Sequence, residues 1–249
     1  MRDNYHELMN NLQELGLNNM CNYLPEYLDE TGHKTVPLTE SLLKLTDEEI
    51  HANERKHIDS IIKKARFPVK KSIEEFDFGF QTSINEVQIR EFQNMGFMER
   101  HDNLIFLGSP GVGKTHLATA IGVSACRQDI RTLFINCNDL LLKLKKAYDK
   151  GTLDRQIRRY SNYELLIIDE LGYLPIEKQE ANLLFQLINN RYERHSTIIT
   201  SNASLSSWGD ILQDTVTASA ILDRLVHHAQ IIKITGKSYR LRNNDLIKK

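Results

Sequence analysis

NLIFLGSPGVGKT, residues 103–115, is the stretch whose reading decides the fold. It opens as an apolar run of strand length, turns through three glycines, and leads into THLATAIGVSACRQD, a segment of helix length. Residues 108–115, G-S-P-G-V-G-K-T, complete the P-loop pattern in the context that gives it meaning: strand, glycine-rich turn, helix N-terminus. Glycines let the backbone wrap a polyphosphate with consecutive N–H groups turned inward, and the helix dipole favours an anion at the same place. Gly108, Ser109, Pro110, Gly111, Val112, Gly113, Lys114 and Thr115 are therefore the expected ATP cradle. Lys114 would reach the β- and γ-phosphates, and Thr115 would ligate Mg²⁺ through its hydroxyl.

Working outward, RTLFINC, ELLIIDE, STIITSN and QIIKITG each read as a buried strand. Helix-length segments separate the first four strands of the set: the one after the P-loop, then NDLLLKLKKAYDKG with LDRQIRRYSN, then IEKQEANLLFQLINNRYERH. Alternation of this kind predicts an α/β fold, a parallel five-stranded sheet between helices. Ligands of open α/β sheets sit at the C-terminal edges of the strands. At one such edge LLIIDE presents Asp169, expected in the Mg²⁺ shell, and Glu170, placed to polarise a water for attack on the γ-phosphate. STIITSN ends in Thr200, Ser201 and Asn202. The Asn202 amide can hydrogen-bond the attacking water or the γ-phosphate, or the SN pair can simply form a turn.

Upstream, residues 1–75 read as a small all-helical N-terminal domain that binds DNA or a partner, and residues 76–249 as the domain carrying the P-loop. Leu8, Leu12 and Leu15 recur at helical spacing and end at Gly16. Leu42, Leu43 and Leu45 precede TDEEIHANERKHIDSIIKKARFP, where Thr46 and Glu49 have the spacing of a capping box and Pro68 closes the helical region. Residues 76–100 join the two regimes without a clear pattern.

Composition excludes several classes. The chain has 249 residues, 41% hydrophobic and 26% charged, with a formal net charge of −1, so a nucleic-acid surface must be local. Cys21, Cys126 and Cys137 show no paired spacing, which fits reduced thiols. No signal core and no bilayer-length apolar run is present, so a cytoplasmic protein with no membrane partner is expected.

SAILDRLVHHA, residues 219–229, is an apolar helical ridge interrupted by Asp223 and Arg224. The adjacent His227 and His228 are expected to point in different directions, a poor chelating pair, and to serve as interface or structural residues. LLKLKKAYDKGTLDRQIRRY carries Lys143, Lys145, Lys146, Lys150, Arg155, Arg158 and Arg159 against only Asp149 and Asp154. Such charges neutralise phosphates without reading bases. A second basic cluster includes Lys63 and Lys64.

GSPGVGKT, LLIIDE, ITSN and ILDRLVHHA, in this order and spacing, resemble the AAA+ ATPases of the initiator and helicase-loader branch. With the terminal GKSYRLRNND, the N-terminal LMNNLQELGLNNM and the KKARFP segment, the chain resembles over essentially its whole length the IstB family, helper ATPases that bacterial insertion sequences encode beside their transposase. The resemblance implies Mg²⁺-dependent ATP hydrolysis, an ATP-dependent homo-oligomer on target double-stranded DNA without sequence preference, and the transposase of the same element as partner. It implies that Arg224 acts in trans on the nucleotide of a neighbouring subunit. It also makes Arg240 a candidate phosphate sensor, assigns the basic helices to DNA, and leads one to expect no C-terminal lid domain. A DnaC-like replicative helicase loader shares the same core, and a nucleotide-gated DNA-binding module with little turnover is the alternative from another class.

Overall fold

The computed structural model describes residues 4–32 and 35–242. Met1–Asp3 of the N-terminal run and Asn243–Asp245 of the GKSYRLRNND run lie outside the described residues. The chain divides into two compact units, Met1–Ser60 and Ile61–Lys249.

The first unit comprises α1 (Asn4–Glu14), α2 (Asn18–Thr31) and most of α3 (Leu38–Ala65). Its core is small: Leu12, Met20, Cys21, Leu24, Tyr27 and Leu45. The capping box expected at Thr46 and Glu49 is not formed. Both residues lie inside α3, where the Thr46 hydroxyl donates back to the carbonyls of Leu42 and Leu43, each at 2.9 Å. Glu49 instead caps a different helix. Its Oε2 accepts the backbone N–H groups of Asn19 (2.7 Å) and Met20 (2.8 Å) in the first turn of α2, whose own N-cap position, Leu17, has no side-chain oxygen to offer. Burial alone would push the Glu49 carboxyl up, but these N–H groups and the Asn19 and Asn53 amides hold it below its ordinary value.

The second unit begins within α3. The sequence reading grouped residues 61–75 with the helical region; here they belong to the second unit, and Ile73 is fully buried in the same apolar cluster as Leu104 and Phe106. Next come α4 (Glu86–Glu91) and α5 (Gly96–Glu99), then β1 (Asn103–Gly108), α6 (Lys114–Arg127), β2 (Thr132–Asn136), α7 (Cys137–Asp149), α8 (Leu153–Ser161), β3 (Leu165–Leu171), α9 (Lys178–Arg191), β4 (Ser196–Ser201), α10 (Trp208–Ile211), α11 (Thr215–His227) and β5 (Ala229–Ile234). Side chains at the helix starts do the stopping and starting: Asn85, Asn136 and Asp214 accept first-turn N–H groups of α4, α7 and α11, and Glu177 with Glu180 forms a capping box on α9.

All five strands pair in parallel in the order β2-β3-β4-β1-β5. Both faces are covered, and period-2 alternation sorts each strand between them. Ile105, Leu166, Ile168 and Ile199 pack into one cluster with α7, α8, α9 and α11; Leu104, Phe106, Leu165, Ile167 and Ile198 pack into the other with α6 and residues 73–97. A cationic side chain is built into this core. Arg191 at the end of α9 is fully buried, and its guanidinium donates to the carbonyls of Tyr160, Ser161, Tyr163 and Ser196 and to the Thr197 hydroxyl. It thereby ties the ends of α8 and α9 to the start of β4. All three cysteines are free and buried. Among the described residues no helix is long and apolar enough to cross a membrane.

Candidate nucleotide-binding site

The sheet order builds the site. β4 lies between β1 and β3, so the polar end of β4 falls between the P-loop and the acidic pair. The turn after β1 requires glycine twice: Gly111 (φ 82°) and Gly113 (φ 104°) adopt the left-handed region. A Cβ at Gly111 would lie 2.0 Å from the Ser238 hydroxyl oxygen, and one at Gly113 would lie 2.5 Å from the Phe76 ring. The P-loop is thus approached closely from both sides. Lys114, the first residue of α6, turns back over the loop and donates to the carbonyls of Gly108 (2.7 Å) and Ser109 (2.9 Å). Burial lowers its pKa; the charges of Asp169 and Glu170 oppose that fall and Arg240 adds to it.

Asp169 is buried at the end of β3 and accepts from the Thr115 hydroxyl (2.9 Å) and the Thr200 hydroxyl (2.5 Å). Desolvation pushes its carboxyl up, against those two hydrogen bonds. Strand alternation would send the next residue to the opposite face, yet Glu170 also reaches the site. The pairing of β3 with β4 slips between Ile168 and Leu171, and Glu170 sits in that slip with φ 61°, its N–H donating to Thr200 Oγ1 at 2.9 Å. A left-handed non-glycine residue of this kind costs roughly 1 kcal/mol or more and persists where its surroundings enforce it. The Glu170 carboxylate is exposed and accepts from the Asn136 amide at 2.8 Å. Sequence reading missed Asn136, although its place at the C-terminal edge of β2, level with Asp169, was a usable signal.

The P-loop, Lys114 and Glu170 open onto a cleft of about 350 Å³, with Asp169 buried behind Thr115. Of the expected residues, Pro110, Gly111, Val112, Gly113, Lys114, Thr115, Glu170, Asn202 and Arg240 line it. Sequence reading did not find its other walls, among them Phe76, Asp77, Gln81 and Tyr239. They come from two segments far apart in the chain that are knit together: Gln81 Nε2 donates to the Lys237 carbonyl (2.9 Å), the Thr235 N–H to Ser83 Oγ (3.0 Å), and Arg242 pairs with Asp77 at 2.6 Å. That clasp carries Arg240 to the cleft. The oxygen donors of Thr115 and Asp169 suit a hard cation such as Mg²⁺.

The remaining expected residues lie elsewhere. Arg224 is half-buried on α11, stacked 4.8 Å over the Phe185 ring and hydrogen-bonded to Asn189 (2.7 Å), and does not line the cleft of its own chain. Lys143, Lys145 and Lys146 lie on α7 and Arg155, Arg158 and Arg159 on α8; Lys145 is held by Glu177 at 2.7 Å, and Lys143 and Arg159 border a groove beside β2 together with Arg66. Lys63 and Lys64 are exposed in the last turn of α3. The expectation that His227 and His228 diverge is overturned. α11 ends at His227, so His228 leaves the helical direction (φ −125°, ψ 76°), and the two rings come to lie with centroids 4.1 Å apart.

A P-loop on β1, its acidic partners on β3 and a polar strand end between them, in a sheet of this order, define a nucleotide-binding protein of the AAA+ class. Residues 10–246 match the IstB-like ATP-binding protein family, and the chain belongs to that family. It is 45% identical to an ATP-binding protein of insertion sequence IS232 from Bacillus thuringiensis subsp. berliner, over 98% of each chain. It is 41% identical to an ATP-binding protein of insertion sequence IS21 from Pseudomonas aeruginosa, over 95% of this chain and 89% of that one. Among solved structures, the DnaC helicase loader superposes with a TM-score of 0.53 at 29% identity, covering 60% of this chain and 88% of that one.

Proposed function

We propose that this member of the family hydrolyses ATP and uses the cycle to assemble on duplex DNA and assist the transposase of its own insertion sequence. The observation that carries the hydrolytic part is the placement of an exposed carboxylate, Glu170, beside a P-loop cleft, oriented by Asn136 and, among the described residues, in no ion pair. A pure binding module has no need of such a group. In this reading Glu170 takes the proton of a water that attacks the γ-phosphorus, while the bond from that phosphorus to the ADP oxygen breaks. Lys114 and Arg240 stabilise the phosphate charge, and Asn202 positions the water or a γ-phosphate oxygen. Thr115 and Asp169 would hold Mg²⁺, which when bound supplies charge neutralisation at the phosphates. Arg224, turned away from the cleft of its own chain, serves the nucleotide of a neighbouring copy, an arrangement that ties turnover to assembly and is typically worth about 10³–10⁵ in rate.

The DNA surface we assign to the exposed charges of α7 and α8, Lys143, Lys146, Arg155, Arg158 and Arg159, with a lesser share for Lys145 because Glu177 already pairs with it. Lys63 and Lys64 are a second site of the same character. The helicase-loader reading draws on the likeness to DnaC, but that likeness covers 60% of the chain, whereas the insertion-sequence relatives match nearly end to end. Binding to labelled duplex and single-stranded DNA of equal length, with ATP, ADP and no nucleotide, separates the two. Cooperative ATP-dependent binding that prefers duplex is expected. A preference for single strands would sink the transposition reading in favour of the loader.

A further inference from the structure

Glu193, His227 and His228 form a cluster outside the nucleotide cleft, and one ligand atom of each lies within 4.8 Å of the others. Glu193 Oε1 is 3.6 Å from His228 Nε2 and 4.0 Å from His227 Nδ1. We propose that these three side chains are a binding site for a zinc-class divalent cation.

Two imidazoles and one carboxylate are a donor set that suits zinc and its late first-row neighbours over Mg²⁺ or Ca²⁺. Zinc–ligand bonds of about 2.0–2.2 Å in a tetrahedron place ligand atoms roughly 3.3–3.6 Å apart, so a cluster whose ligand atoms lie within 4.8 Å of one another has to close by at most about 1.5 Å. All three side chains are exposed enough to make that adjustment, at about half of their full exposure. The backbone supports the arrangement from two sides. Glu193 is held at φ 55° in the turn after α9, and His228 leaves the α11 direction so that its ring turns onto the same spot. The Tyr192 hydroxyl hydrogen-bonds His227 Nδ1 at 2.7 Å. On metal binding it would release that nitrogen to the cation.

The site would join the turn after α9 to the end of α11, the same two helices that Arg224 links through Asn189 and Phe185. That it braces Arg224 rests on the trans-acting reading of this arginine; the binding itself does not.

The test is titration of the full chain with Co²⁺ and Zn²⁺ in the absence of nucleotide, read by the visible absorption of bound Co²⁺, its displacement by Zn²⁺, and the shift in Tm. One equivalent per chain is expected, with a dissociation constant for Zn²⁺ of about 1 µM. Weakening by about 100-fold or more is expected in each of Glu193→Gln, His227→Ala and His228→Ala, with no change in His51→Ala. The metal-free Tm of the three variants should match the parent, which separates lost ligation from lost folding. Less than one equivalent bound at about 100 µM free Zn²⁺, or affinity unchanged across the three variants, overturns the site. A failure of ATP hydrolysis would leave these outcomes unaffected.

Discussion

Glu49 in the first unit and Glu170 in the second are both acids held by an asparagine amide, and they differ in what remains of their acceptor capacity. Glu49 is buried and receives two backbone N–H groups and the amides of Asn19 and Asn53. Glu170 is exposed on a strained slip of β3 and receives one side-chain amide, from Asn136. A carboxylate whose oxygens are filled contributes stability, and one left open beside a phosphate-sized cleft is available for chemistry. The surroundings follow the same division. Among the described residues, the first unit leaves Leu8, Leu15, Leu42 and Leu43 exposed around a six-residue core, as a unit of this size must when it has little interior to offer. The second buries most positions of β1–β4 and can hold strain at its edges.

The sharpest way to break this contrast is Glu170→Gln. Turnover should fall by about 10²–10⁴-fold while ATP affinity and Tm stay near the parent's, measured by phosphate release and nucleotide titration. An unaltered rate would show Glu170 to be as structural as Glu49. Next in size, Arg191→Ala should cost about 4 kcal/mol in urea unfolding of the second unit, because it strands several buried carbonyls at once. A cost under about 1 kcal/mol would mean that water replaces the guanidinium without loss. Lys114→Ala should weaken ATP binding by at least about 100-fold, roughly 3 kcal/mol, and retained affinity would remove the P-loop from the mechanism. The smallest effect belongs to Glu49→Gln, about 1–2 kcal/mol at neutral pH through the weakened α2 cap. Because folding lowers this carboxyl's pKa below its ordinary 4.5, its contribution is present above that pH and is lost as pH falls through the depressed value. The gap between parent and variant should therefore close in acid, and a gap that persists at pH 2 would place the cap's strength in shape and not in charge.

What could be read from the sequence follows the same physics. The strands, their parallel order of connection and the P-loop, Asp169 and Glu170 were legible because phosphate chemistry and buried sheets dictate residue types at fixed spacing. Thr46 and Glu49 misled because a capping box is only a spacing; the same Thr and Glu fit the middle of a long helix when the carboxylate has another helix start to reach. His227 and His228 misled because the neighbour rule assumes that the helix continues past both. The clasp between residues 77–83 and 235–242 was invisible for a different reason. No local pattern announces a partner more than a hundred residues away.

That clasp has a consequence for how the site comes into being. Asp77 and Arg242 are 165 positions apart, so their contact closes one of the longest loops in the second unit. Loop-closure entropy makes such contacts late to form and early to open. The nucleotide cleft draws its walls from both ends of that loop, so it is complete only once nearly the whole unit has folded. By linkage, a nucleotide bound there stabilises the unit against global unfolding and not merely against fraying of one edge. Ligand occupancy thereby becomes a measure of whether the entire unit, from its first buried segment to its last, has reached the native state.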